Sequence, residues 1–189
     1  MKGYKRVMGI DPGTNLLGYG VIDVVDGRVT LHTMGVIDLR KCEDPHLKLG
    51  RIFERVSGLI HSFEPSELAV EAPFYGKNVQ SMLKLGRAQG VVIAAAVSQD
   101  ITVHEYAPTK IKMALTGNGA ASKEQVANML QKIFHLNADS LVPYMDATDA
   151  LAAAYCHFMQ AKVPGQGHKY TDWSDFVKKN GARVHTPEK

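Results

Sequence analysis

Four acidic side chains stand where a folded chain has little use for charge. Asp11 ends the apolar run Val7 to Ile10 in RVMGIDPGTNLLGYG, and Glu71 ends a second short apolar run in ELAVEAP. Asp146 and Asp149 lie three residues apart in YMDATDALAAAYCH, on one face of any helix that forms there. Together they offer carboxylate oxygens without histidine or cysteine, the donor set of a hard cation such as Mg²⁺ or Mn²⁺. Each residue taken singly has a plainer explanation. Asp-Pro-Gly is ordinary turn chemistry, a charge often closes a strand, and an acid in the first helical turn answers the helix dipole. A site requires that the four converge, and convergence depends on the elements between them.

Residues 4–11 read as a buried strand. GYGVIDVV and RVTLHTMGVID then flank Asp26-Gly27, a strong hairpin signal, so the chain opens as a three-stranded antiparallel meander. PHLKLGRIFERVSGLIHSF sets Leu49, Ile52, Phe53, Val56, Leu59, Ile60 and Phe63 at helical spacing. A strand ending at Glu71, a long helix over 78–98 and a strand ITVHEY follow. PTKIKMALTG predicts a helix with proline at its start and Gly117 as its stop. Ser122 and Gln125 form a capping-box pattern opening KEQVANMLQKIF, and YMDATDALAAAYCHFMQ predicts the last helix. The expected class is α/β: a five-stranded mixed sheet, three strands antiparallel and then two parallel, with helices on both faces.

That order brings two of the acids together. A strand-helix-strand crossover is right-handed and makes its strands parallel. The hairpin occupies one side of the first strand, so Glu71's strand takes the other, about 4.8 Å away. Asp11 and Glu71 then face one crevice at the carboxyl edge of the sheet, where open α/β sheets bind ligands. Two unpaired carboxylates there repel each other and resist ionisation, and a divalent cation relieves both.

With 189 residues, the chain suits one well-packed domain and a tail: residues 1–162 as the domain, and 163–189, around YTDWSDFV, as a tail with one turn suited to dock. The net charge is +3, but from Lys77 to Lys132 seven bases face three acids, a local excess that suits a polyanion. Cys42 and Cys156 lack metal-ligand spacing and fit a reducing compartment. The N-terminus does not read as a signal peptide, and runs such as VVIAAAV are too short to span a bilayer. These features predict a soluble, cytoplasmic protein without a membrane segment.

Four blocks carry a family likeness: GIDPGTNLLGYGVID, AVEAPFYGKNVQSMLKLGRAQGVV, EYAPTKIKMALTGNGAASKEQV and MDATDALAAAYCH. In order and separation they resemble the signature blocks of the RuvC family of bacterial Holliday-junction resolvases, over roughly residues 5–160. The resemblance implies an RNase H-like fold and a homodimer that makes paired symmetric nicks in four-way DNA junctions during recombination and repair. It implies hydrolysis with two Mg²⁺ per active site, or Mn²⁺ in their place, leaving 5′ phosphate and 3′ hydroxyl ends. It also implies work beside the RuvA–RuvB branch-migration complex. On this likeness Asp11, Glu71, Asp146 and Asp149 take the positions of the catalytic and metal-binding carboxylates. Lys112 and Lys123 take those of two functional lysines beside the scissile phosphate. Phe74 takes that of an aromatic that stacks on a junction base, with Tyr75 next to it. Lys77, Lys84 and Arg87 are looser candidates for DNA contact, and the helix over 78–98 matches the family's dimer helix.

Competing readings stay open on the residues alone. Either lysine suits a solvated helix face, Phe74 suits a loop aromatic closing the core, and the long helix suits packing on its own sheet. GIDPGTNLLGYG also resembles the phosphate turn of an actin-like ATPase lobe, a class that needs a second lobe for which this chain has no room. A non-catalytic junction- or RNA-binding module would use the same basic stretch, and an RNase H-like nuclease acting on RNA would use the same carboxylates.

Overall fold

The computed structural model describes residues 3–73, 78–136 and 145–161. These fall almost wholly in a compact unit, Met1–Met159. Among the described residues, five strands and five helices follow in the order β1 (Tyr4–Asp11), β2 (Leu16–Val25), β3 (Arg28–Asp38), α1 (Pro45–Phe63), β4 (Glu67–Glu71), α2 (Val79–Val97), β5 (Thr102–Tyr106), α3 (Pro108–Thr116), α4 (Lys123–Phe134) and α5 (Met145–Ala161). The sheet order is β3-β2-β1-β4-β5. β1 and β3 each pair antiparallel with β2, whereas β1–β4 and β4–β5 are parallel. Asp26 and Gly27 both take positive φ, at 49° and 78°, which matches the turn twist to that of the flanking strands.

Strand alternation divides the core between two faces. On β1, Val7 joins the cluster containing residues of α3, α4 and α5, while Met8 and Ile10 join the cluster built with α1 and α2. Ile10, Leu17, Leu68 and Leu151 are fully buried, and burial of each such side chain stabilises the fold by about 1.5–3 kcal/mol. α1 buries Ile52, Val56 and Ile60. Phe53, expected on the same apolar face, is exposed. One residue's 100° turn beyond Ile52 takes it off this narrow stripe.

α5 lies against the middle of the sheet on glycines. A Cβ on Gly9 of β1 would overlap the Ala150 carbonyl oxygen, and one on Gly18 of β2 would overlap that of Asp146. Only glycine lets the helix backbone come this close, and Ala147, Ala150, Ala153 and Ala154 are buried along the helix. Because Gly18 pairs with Asp11 across β1 and β2, this contact carries the start of α5 to the end of β1. Both cysteines are free. Among the described residues no helix is long and apolar enough to cross a membrane.

Candidate active site

The carboxyl ends of the two central strands deliver the first two acids. Ile10 pairs with Val70 in parallel register, so the next residue on each strand is an acid, Asp11 beside Glu71. Glu71 pairs in turn with Tyr106, the last residue of β5. Two residues later Pro108 starts α3, which brings Lys112 over the strand ends and stops at Gly117, with φ 72°. The α4 capping box then fixes Lys123 as the first helical residue. Ser122 Oγ accepts from the Gln125 amide at 3.2 Å, and Gln125 Oε1 accepts from the Ser122 amide at 2.8 Å.

These elements enclose a cleft of about 250 Å³. Asp11, Glu71, Lys112, Lys123 and Asp149 supply its charged lining, and Pro108, Ile111, Val126 and Ala152 its apolar wall. Asp146 is not among the described lining residues, but its charge acts on Asp11. The Lys123 ammonium donates to Asp149 Oδ2 at 2.5 Å. Although burial opposes its charge, that hydrogen bond and the surrounding acids raise Lys123's pKa above the ordinary value.

Charge accumulates in this cleft faster than the lysines offset it. Burial first, and then the charges of Glu71, Asp149 and Asp146, push the Asp11 carboxyl from 3.8 up to about 8. Burial and the charge of Asp149 push Glu71 from 4.5 up to about 7, against the pull of Lys123 and Lys112. The mutual repulsion expected of neighbouring strand-end carboxylates is therefore present, with protonation as its relief. The all-oxygen donor set of Asp11, Glu71 and Asp149, with Asp146 close by, fits a hard divalent cation, whose charge would replace those protons.

Residues 7–157 match the family model for crossover junction endodeoxyribonuclease RuvC. This chain belongs to the RuvC family. It is 59% identical over 180 residues to the RuvC protein of Bacteroides fragilis, covering 95% of this chain and 96% of that protein. It is 55% identical over 181 residues to that of Porphyromonas gingivalis, covering 94% and 96%. The fold matches Thermus thermophilus RuvC in complex with Holliday junction substrate at a TM-score of 0.75 and 35% identity, over 83% of this chain and 94% of that one. The mixed sheet with helices on both faces is the RNase H-like resolvase fold of RuvC.

The remaining candidates divide by position. Lys84 and Arg87 are exposed on α2 and line a different groove, with Thr14, Asn15, His46 and Lys48 among its lining residues. Phe74, Tyr75 and Lys77 lie outside the described residues. Gly9 and Gly18 are not among the candidates that the sequence suggests, yet they admit the helix that carries Asp146 and Asp149. The signal for them is glycine within an otherwise apolar strand, which marks close approach of another backbone. Among the described residues, one group of three or more His, Cys, Asp or Glu places one ligand atom from each residue within 4.8 Å of the others: Glu67, His104 and His157. It sits away from this cleft, beginning at the opposite end of β4.

Proposed function

We propose that this chain is a metal-dependent endonuclease that resolves four-way DNA junctions by paired symmetric nicks, acting in recombination and repair. The observation that carries the reading is the convergence of Asp11, Glu71 and Asp149 with Lys112 and Lys123 in one cleft of a RuvC-family fold. Asp11, Glu71, Asp149 and Asp146 would hold Mg²⁺, or Mn²⁺ in its place, with carboxylates enough for two ions. A cation bound there would supply Lewis-acid activation of the attacking water and charge neutralisation at the leaving 3′ oxygen. Lys112 and Lys123 neutralise phosphates flanking the scissile bond, and the Lys123–Asp149 pair keeps one ammonium at the cleft before DNA arrives. The apolar wall of Ile111, Val126 and Ala152 limits water, so charge acts more strongly on a phosphate held there. Phosphodiester hydrolysis of this kind leaves 5′ phosphate and 3′ hydroxyl ends.

Paired cutting needs two such sites. A homodimer related by a two-fold axis presents them to strands of like polarity in a two-fold junction. Phe74 and Tyr75 serve as a stacking platform for a junction base, and Lys77, Lys84 and Arg87 contact the DNA backbone. RuvA and RuvB are the family's branch-migration partners and are proposed as partners here. Residues 1–162 form the nuclease domain and 163–189 a tail.

The test uses end-labelled four-way junctions and matched linear duplexes, with Mg²⁺ and with EDTA. Symmetric, metal-dependent nicks confined to the junction are expected. Glu71→Gln should end cutting, by more than the roughly 10- to 100-fold loss typical of a change outside the metal's own ligands, yet keep junction binding. Binding without cleavage by the unaltered protein would favour a junction-binding module, and cutting of an RNA–DNA duplex in preference to the junction would favour an RNA-directed nuclease.

A further inference from the structure

The end of β4 opposite Glu71 holds a second set of ligand-type side chains. Glu67 opens β4, His104 lies at the centre of β5 and His157 lies near the end of α5, with one donor atom from each within 4.8 Å of the others. His157 is only 5% exposed. Its Nδ1 is 2.7 Å from the Tyr106 hydroxyl, while its Nε2 contacts Glu67 Oε2. The His104 ring lies against that of His157, with centroids 4.4 Å apart. Lys5 Nζ completes the group, 2.5 Å from Glu67 Oε2.

Two imidazoles and one carboxylate are a different donor set from the all-oxygen cleft. They suit Zn²⁺, which takes histidine nitrogen and carboxylate oxygen in tetrahedral geometry. A metal-bound imidazole uses its second nitrogen on an outer partner that fixes the ring, and Tyr106 is placed to be that partner for His157. His157 Nε2 is thereby directed toward the space it shares with Glu67 and His104.

We propose that Glu67, His104 and His157 form a second cation site, which takes Zn²⁺ or a similar borderline transition metal and braces α5 against β4 and β5. Donor atoms around a tetrahedral ion with bonds of 2.0–2.1 Å sit about 3.3 Å apart. Pairs farther apart than this need to close by at most about 1.5 Å from a separation of up to 4.8 Å, while His157 Nε2 and Glu67 Oε2, now in direct contact, need to part to admit the ion, and side-chain rotation supplies both shifts. Lys5 competes with the cation for Glu67, and the partly exposed Glu67 carboxylate gives the ion a way in. The same strand and helix carry both sites. Glu67 and Glu71 are about 13 Å apart along β4, and Asp149 and His157 are about 12 Å apart along α5. A brace at one end thus fixes the spacing at the other.

The test titrates the full-length protein with Co²⁺ alone and with Zn²⁺ alone, following visible absorption and thermal melting. Expected is one site with the intense visible band of low-coordinate Co²⁺, displaced by Zn²⁺. Zn²⁺ at about a hundred times Kd should raise the melting temperature by roughly 5–10 °C. His104→Ala should lose the band, and Tyr106→Phe should weaken binding about 10- to 100-fold. Lys5→Ala removes a side chain that is 35% exposed and decides the matter even where a histidine variant folds poorly. Tighter Zn²⁺ binding by this variant supports the site, and unchanged or weaker binding overturns it. The proposal also fails if wild type shows no band, if the band persists in folded His104→Ala, or if Asp11→Asn abolishes it.

Discussion

Replacing Asp11 by Asn should stabilise the metal-free protein even as it removes a carboxylate the proposed chemistry needs. Burial and the charges of Glu71, Asp149 and Asp146 hold the folded carboxyl at about 8, against 3.8 for its ordinary value. Between those two pH values the folded state binds more protons than the unfolded chain, so stability falls as pH rises through the window. At about 1.4 kcal/mol per tenfold change, the full span is roughly 6 kcal/mol, an upper bound because water reaching the cleft screens the charge. Asn keeps the cost of burying a polar group but removes the ionisation, recovering about 2–3 kcal/mol at pH 8. For a chain of this size that is a rise in melting temperature of roughly 5–10 °C. At pH 5 folded Asp11 is protonated but the unfolded carboxyl, with its ordinary value of 3.8, is still largely ionised, so the difference should shrink to roughly a third of its size at pH 8. Thermal melts of both proteins in EDTA at pH 5, 6.5 and 8 measure it. An unchanged or lower melting temperature for Asp11→Asn at pH 8, or a gain of equal size at pH 5, would refute the reasoning.

The same carboxyls would couple the proposed Mg²⁺ binding to proton release. With Asp11 near 8 and Glu71 near 7, binding at pH 7 should release about 1.4 protons per site, falling to about 0.6 at pH 8, as measured by calorimetry in buffers of different ionisation enthalpy. Lys112→Ala should slow junction cleavage by about 10²-fold, in line with loss of one donor at a charged transition state, while its melting temperature stays within about 1 °C of wild type. A large thermal loss instead would assign Lys112 to packing. Gly18→Ala drives a methyl into the backbone of α5 at Asp146, so melting should show a loss of about 1–3 kcal/mol, with cleavage falling too as Asp149 shifts. Normal melting and normal cleavage would show that α5 can stand farther from the sheet.

Several features were legible because they depend on residues close in sequence. The Asp26-Gly27 turn, the Pro108 start and Gly117 stop of α3, and the Ser122–Gln125 capping box each follow from the local conformational preferences of a few residues. The adjacency of Asp11 and Glu71 was also legible, although they stand 60 positions apart, because the hairpin leaves β1 one free edge and the crossover makes β4 parallel to it. The resemblance of the four blocks then implied roles for residues that spacing alone left divided between site, turn and solvated surface.

Packing between distant elements decided the rest. Asp146 and Asp149 share a helix face by their spacing, but only the seating of α5 on Gly9 and Gly18 sets Asp149 into the cleft lining and brings Asp146 near enough for its charge to act on Asp11. Lys84 and Arg87 belong to the same basic stretch as Lys112, yet α2 carries them to a different groove. Glu67, His104 and His157 have no spacing that marks a ligand set, and the sheet and α5 bring them within 4.8 Å. Local periodicity determines which residues share a face of one element. Which faces meet is fixed by close packing among all of them together, and that information belongs to no single stretch of the chain.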